Sequence, residues 1–210
     1  MKKKINHIAV LLFFLILCFN QRLYGQMLVY NIKGTIINQF PYKYAYLLNL
    51  NDKSILINPI SDAHFNFTVQ RQEELDVRYL FFGNDSVQSF ASYQQMQKEH
   101  TLQKRPIAIE GDAEVIVRMA DVKGATVKGG KYNTDLDDMY AAYRDLEYHD
   151  FCKNHPNSPV SLRFINGLAV AIKVAPVLTK KDLEQFFNVL SAELKNSDEG
   201  KRTLKQIMDL

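Results

Sequence analysis

The sequence predicts an α+β protein, with an N-terminal antiparallel β-sandwich or partly open barrel followed by a C-terminal bundle of three to four helices. Three observations carry that expectation. From Leu28 to about Lys131, short β-branched and aromatic runs alternate with Asn, Asp and Gly turn signals, too closely spaced for helical crossovers. After Gly129-Gly130 the apolar spacing changes to that of helices. A strand block followed by a helix block is the α+β order.

The first strand is expected at Val29 to Ile36, and the second at Tyr42 to Leu47, where Tyr and Leu dominate. Ser54 to Ile60, His64 to Val69, Val77 to Phe82, Ile107 to Glu110, Ala113 to Met119 and Ala125 to Lys128 follow. Turn residues such as Asn51-Asp52, Ser61-Asp62, Gly83-Asn84-Asp85 and Gly111-Asp112 separate them. The polar, Gln-rich stretch Ser89 to Lys104 reads as a short helix or a loop.

The first helix of the second block should begin with Thr134 as N-cap and Asp135, Asp137 and Asp138 in its first turn, where acids complement the helix dipole. Leu136, Met139, Tyr140, Tyr143 and Leu146 supply its apolar stripe, and it should reach about Asn154 before Pro156. Ser158 and Pro159 are the cap and first residue of a second helix. Thr179 caps a third, with Leu183, Phe186, Phe187, Leu190 and Leu194 as its stripe, and Ser197 opens a last short one. The expected division is a leader at 1–25, an antiparallel β domain at 26–131, and a helical region at 132–210 packed on it.

Lys2, Lys3 and Lys4 ahead of the twelve-residue apolar run Ile8 to Phe19, and then Tyr24-Gly25, have the form of a secretory signal peptide. The run is shorter than the roughly 18 residues a membrane-spanning helix needs, so no transmembrane span is expected after leader removal. Leu17 is too bulky for the tight site before a lipoprotein cysteine, so cleavage near Gly25 is expected rather than acylation of Cys18. The leader holds four of the 26 basic side chains and none of the 23 acids, which leaves the mature chain at net −1. Composition therefore gives no case for nucleic acid as a partner. Cys152 alone remains, so neither an internal disulfide nor a C-x-x-C pair can form.

The candidate chemistries are sparse. Among His64, His100, His149 and His155, the last two are six apart, a poor spacing for metal ligands on a helix. The Asp135-Asp137-Asp138 cluster lacks the loop glycine and terminal glutamate of a calcium site. Lys128-Gly129-Gly130-Lys131 lacks the length and the Lys-Ser/Thr of a phosphate loop. Ser158 and Ser161 lie near His155 without a nucleophile elbow around them. Cys152, beside Phe151, reads as an inert core thiol.

The run His155-Pro156-Asn157-Ser158-Pro159-Val160-Ser161-Leu162 is a helix stop followed at once by a helix start. Taken with Ile32-Lys33-Gly34-Thr35-Ile36, Val122-Lys123-Gly124-Ala125 to Lys128-Gly129, and Asn196-Ser197-Asp198-Glu199-Gly200-Lys201, it resembles a domain of unknown function, the DUF4369 type. That domain precedes the thioredoxin-like domain in TlpA/ResA and AhpC/TSA-type envelope thiol-disulfide oxidoreductases. The resemblance runs from about Tyr30 to Ile207. Asp62-Ala63-His64-Phe65 departs from it, lacking the glycine that members often have there. Family members continue into the catalytic domain after the last helix, whereas this sequence ends at Leu210, so no catalytic, cofactor-binding or metal-binding residue is carried over.

The resemblance implies an exported, non-catalytic cell-envelope module, a binding or scaffolding unit. The alternative is the N-terminal accessory part of a split or truncated thioredoxin-like oxidoreductase. The expected partner is an envelope protein or a thioredoxin-like protein, and the expected location is the periplasm or outer envelope of a Gram-negative bacterium. A glycan- or peptide-binding surface subunit is a third reading, and the absence of Trp argues against its glycan form.

Overall fold

The computed structural model describes residues 28–210 apart from 39, 72–74, 87, 100–101, 119–120 and 174–177. The leader with Cys18, the strand end at Met119, and His100 lie outside the described residues. Among the described residues eight strands precede the helical region: β1 (Val29–Ile37), β2 (Tyr44–Asn49), β3 (Ile55–Pro59), β4 (His64–Gln70), β5 (Val77–Gly83), β6 (Arg105–Ala108), β7 (Ala113–Arg118) and β8 (Asp121–Lys128). They form two four-stranded sheets, β4-β1-β7-β8 and β3-β2-β5-β6.

The two sheets face each other across one apolar layer. Phe65, Phe67 and Val69 of β4 and Ile32 and Ile36 of β1 meet Ala45 and Leu47 of β2 and Leu80 and Phe82 of β5. Gly34 lies in that layer opposite Phe65, and a β-carbon there would run into the Phe65 ring. The glycine therefore makes room for the aromatic, a close approach no other residue permits.

One pairing departs from the antiparallel expectation. β1 and β7 run parallel, with Gly34 opposite Val115, so β1 sits inside its sheet instead of at an edge. Parallel neighbours need a long connection, and here all of β2 through β6 supplies it.

The second sheet is also covered on its outer side. Tyr46, Leu48, Tyr79 and Phe81 point away from the sandwich and meet Tyr93, with Phe90, Met96 and Leu102 packed around them. Phe90, Tyr93 and Met96 belong to α1 (Phe90–Lys98), so the first part of the ambiguous Ser89 to Lys104 stretch is a helix. Ser89 Oγ caps it by accepting from the Ser92 N–H at 3.1 Å.

Among the described residues six helices follow the strands where three to four were expected: α2 (Lys131–Asp145), α3 (Tyr148–Asn154), α4 (Pro159–Ile172), α5 (Lys180–Asn188), α6 (Ala192–Asn196) and α7 (Asp198–Met208). The expected single helix from Thr134 to Asn154 is divided because Leu146 adopts φ 63°, a left-handed conformation that ends α2. Its start is earlier too. The Glu110 carboxylate accepts from the Tyr132 N–H, so a distant acid caps α2 in place of Thr134. The expected third helix divides at Val189, and Ser191 caps a separate α6.

Three other helix starts lie where the sequence places them, that of α7 among them, where Ser197 Oγ accepts from the Gly200 N–H at 3.0 Å. Ser158 Oγ accepts from Val160 N–H ahead of Pro159, and Thr179 with Asp182 forms a reciprocal capping box.

The helices dock on the open edge of β6. Asn133 Oδ1 accepts from the Ala108 N–H at 2.8 Å, and its Nδ2 donates to the Ala108 carbonyl at 3.0 Å. One side-chain amide thus stands in for a neighbouring strand. Arg105 and Asp137 add an ion pair at 2.5 Å, and Val77 and Ala108 share a core with Leu136, Phe151, Leu162, Ile165, Leu183 and Ile207. No described helix is long and apolar enough to cross a membrane.

Candidate functional site

Two sets of side chains deserve a chemical reading, one built around His155 and one lining a cleft. The first unites residues that the sequence places in separate roles. Asp135 is 3 % exposed, not a solvated first-turn acid. Its Oδ2 accepts from Ser158 Oγ at 2.5 Å, and its Oδ1 faces His155 Nδ1 at 3.1 Å. His155 Nε2 faces Asp138 Oδ2 at 3.4 Å on the opposite side of the ring, which stacks on Phe151 with centroids 4.7 Å apart.

This arrangement does not assemble a nucleophile. Ser158 Oγ donates its hydrogen bond to the Asp135 carboxylate, and Ser161 Oγ donates to the His155 carbonyl at 2.7 Å, so neither hydroxyl addresses the imidazole. The ring separates the two carboxylates that flank it. Among the described residues no three His, Cys, Asp or Glu side chains come together as metal ligands. What the cluster does is mechanical: it ties α2 to the turn between α3 and α4. A buried carboxylate is tolerated there because each oxygen has a partner.

The remaining single candidates stand apart. His64 lies on the exposed face of the first sheet, 3.3 Å from Thr35 Oγ1, and His149 is beside Asp150 at 3.8 Å. Cys152 is fully buried, and burial pushes its thiol up to about 12, so no thiolate is present near neutrality. Gly129 and Gly130 have φ of 105° and 78° and form the turn from β8 into α2.

The second set lies where the sandwich meets the helices. There a cleft of about 1030 Å³ opens, at the upper end of the range for small-ligand sites. The sandwich contributes Leu50 and Asn51 from the β2–β3 turn, then Leu75 and Val77. Met139, Tyr140 and Tyr143 of α2 form one wall. Arg163, Asn166, Gly167 and Val170 of α4 form another, with Ser197, Asp198, Glu199 and Arg202 at the start of α7 on the rim.

The aromatic wall explains an apparent failure of the helical stripe. Leu136 and Met139 are buried as expected, but Tyr140 and Tyr143 are 44 % and 53 % exposed. Their rings line the cleft instead of entering the core. Arg163 Nη2 donates to the Tyr79 hydroxyl at 2.7 Å, and Tyr79 in turn hydrogen-bonds Tyr140. Desolvation first, and the neighbouring Tyr79 second, push the Tyr140 phenol up to about 12, against a smaller downward pull from Arg163 and Arg105. The cleft thus carries the neutral Tyr140 phenol beside a fixed positive charge.

Gly167 is the most telling residue of the wall. It lies inside α4, where glycine is about 1 kcal/mol less favourable than alanine. A β-carbon there would meet nothing within 4 Å, so packing does not call for the glycine. Its effect is to leave a bare patch of helix facing the cleft.

Sequence reasoning passed over Arg163, Asn166 and Gly167. The glycine interrupting the apolar pattern of α4 was the available signal, whereas the pairing of Arg163 with Tyr79 spans 84 residues and leaves no local trace. Compared with family models, with curated proteins and with solved structures, the chain matches none.

Proposed function

We propose that this chain is an exported, non-catalytic binding module of the cell envelope, and that the cleft between sandwich and helices is its ligand site. The amino-terminal sequence supports export, and the motif resemblance supports the envelope setting. The bare helix at Gly167 carries the binding reading. It is a costly residue in a helix, unexplained by packing, on the wall of a cleft lined by aromatic rings and two guanidiniums, Arg163 and Arg202.

The test is a thermal-shift comparison of the mature chain with Gly167→Trp and Gly167→Leu, whose side chains would fill the cleft from its wall. Each is mixed with fractionated envelope extract, separated into small-molecule, peptide and protein pools. A pool that raises the Tm of the parent and not of the filled variants is the expected result. Equal shifts in all three proteins, or no shift from any pool, would overturn the reading. An insulin-reduction assay run alongside should show no turnover, and turnover would overturn the non-catalytic part.

A further inference from the structure

We propose that the cleft receives the C-terminal end of an extended peptide with an apolar last residue, its carboxylate on Arg163 and its last backbone N–H on Asn166. This rests on the cleft being a ligand site and says what the ligand is.

Arg163, Asn166, Gly167 and Val170 recur at the spacing that places residues on one face of a helix, and all four line the cleft. Arg163 makes one hydrogen bond, from Nη2 to the Tyr79 hydroxyl, and among the described residues no carboxylate pairs with it. Of the two lining acids, Glu199 is engaged elsewhere. Glu199 Oε2 accepts from Arg202 Nε at 2.9 Å and its Oε1 from Asn166 Nδ2 at 2.9 Å, while Asp198 sits in the first turn of α7. A partly buried guanidinium beside aromatic rings thus has no anion. Its planar fork fits a carboxylate, and a single unpaired cation matches a monoanion better than a phosphate dianion.

Asn166 supplies the second half of the argument. Its Oδ1 is buried and receives no donor, and a buried acceptor left unpaired is uncommon enough to call for one. In a peptide, the N–H of the last residue lies one Cα from the terminal carboxylate. Arg163 and Asn166 are one helical turn apart, so the two groups can be met together once the Asn166 amide turns, exchanging its Nδ2 bond to Glu199 for one from the ligand to the enclosed Oδ1. Gly167 lets the peptide backbone approach the helix closely, and Val170, 58 % exposed, offers apolar surface for the last side chain. A fatty acid would satisfy Arg163 but leave Asn166 unpaired.

Calorimetric titration of the mature chain with acetyl-Ala-Ala-Leu as the free acid, the same peptide as its C-terminal amide, and decanoate decides the matter. The acid is expected to bind at least tenfold more tightly than the amide and than decanoate. Arg163→Gln should bring acid and amide within twofold of each other, and Arg163→Lys should retain part of the preference, both with parental circular dichroism. Acid and amide within twofold on the parent, a preference that survives Arg163→Gln, or tighter binding of decanoate would each overturn the assignment. If Gly167→Trp abolishes the extract-derived shift while acid and amide bind alike, the ligand class falls and the binding reading stands.

Discussion

The two sheets of the sandwich share a core and differ in what lies behind them. Behind the first sheet, Asn31, Lys33, His64, Asn66, Glu114 and Lys128 border a depression open to solvent. Behind the second, Tyr46, Leu48 and Phe81 are buried under α1, and Val77 joins the helical core. The strands record the difference. β4 alternates exposed and buried residues along its length, whereas β5 is buried at six consecutive positions. An antiparallel strand buried on both faces needs a second layer, and that requirement recruits the helices and so creates the cleft.

The comparison can be broken most directly at Phe81. Phe81→Ala, behind the second sheet, should cost about 3–5 kcal/mol in urea denaturation, while Thr68→Ala, behind the first, should stay within about 0.5. Similar losses at both positions would abolish the distinction. The junction is the next target: Ser158→Ala leaves Asp135 Oδ2 buried without its donor and removes the α4 cap, for about 1–3 kcal/mol by the same measurement. Gly34→Ala should cost about 1–3 kcal/mol by crowding Phe65 in the shared layer, with the Phe65→Leu background relieving part of it.

Alkaline pH separates the helical core from the sandwich more gently. The unfolded Cys152 thiol ionises from its ordinary value near 9, while the folded one holds its proton to about 12. Its contribution to stability is therefore complete below pH 9 and fades as pH rises towards 12. Tyr140 acts in the same direction between 10 and about 12. Cys152→Ala should flatten the fall of Tm between pH 9 and 11, and an unchanged slope would refute the assignment. The smallest effect is a gain: Gly167→Ala should stabilise α4 by about 0.5–1 kcal/mol, because its β-carbon enters open space.

Much of the architecture was legible because its signals are local. Thr179 with Asp182 and Ser158 with Pro159 mark helix starts within four residues, and β4 shows its buried face by strict alternation. What escaped depends on distant partners. Thr134 looks like a cap, but Glu110, 22 residues from the Tyr132 it caps, takes that task. Leu146 reads as a helix residue, and only the structure reveals its left-handed backbone. Asp135 has the composition of a solvated helix start, yet the fold brings His155 and Ser158 over it and encloses it. The cleft was illegible for the same reason, since its walls come from segments that the sequence keeps far apart.

The parallel pairing of β1 with β7 bears on how this protein reaches its native state. Ile32 and Ala113 are paired although they are 81 positions apart, so the centre of the first sheet cannot close until most of the sandwich has been made available. β1 can meet β4 earlier, leaving its other edge unpaired for the interval. Pairings of such long range slow folding, because the loop must be closed before the contact rewards it. A chain that assembles this way passes through a stage with a bare strand edge at its first strand. That stage is where a chaperone would find its handle.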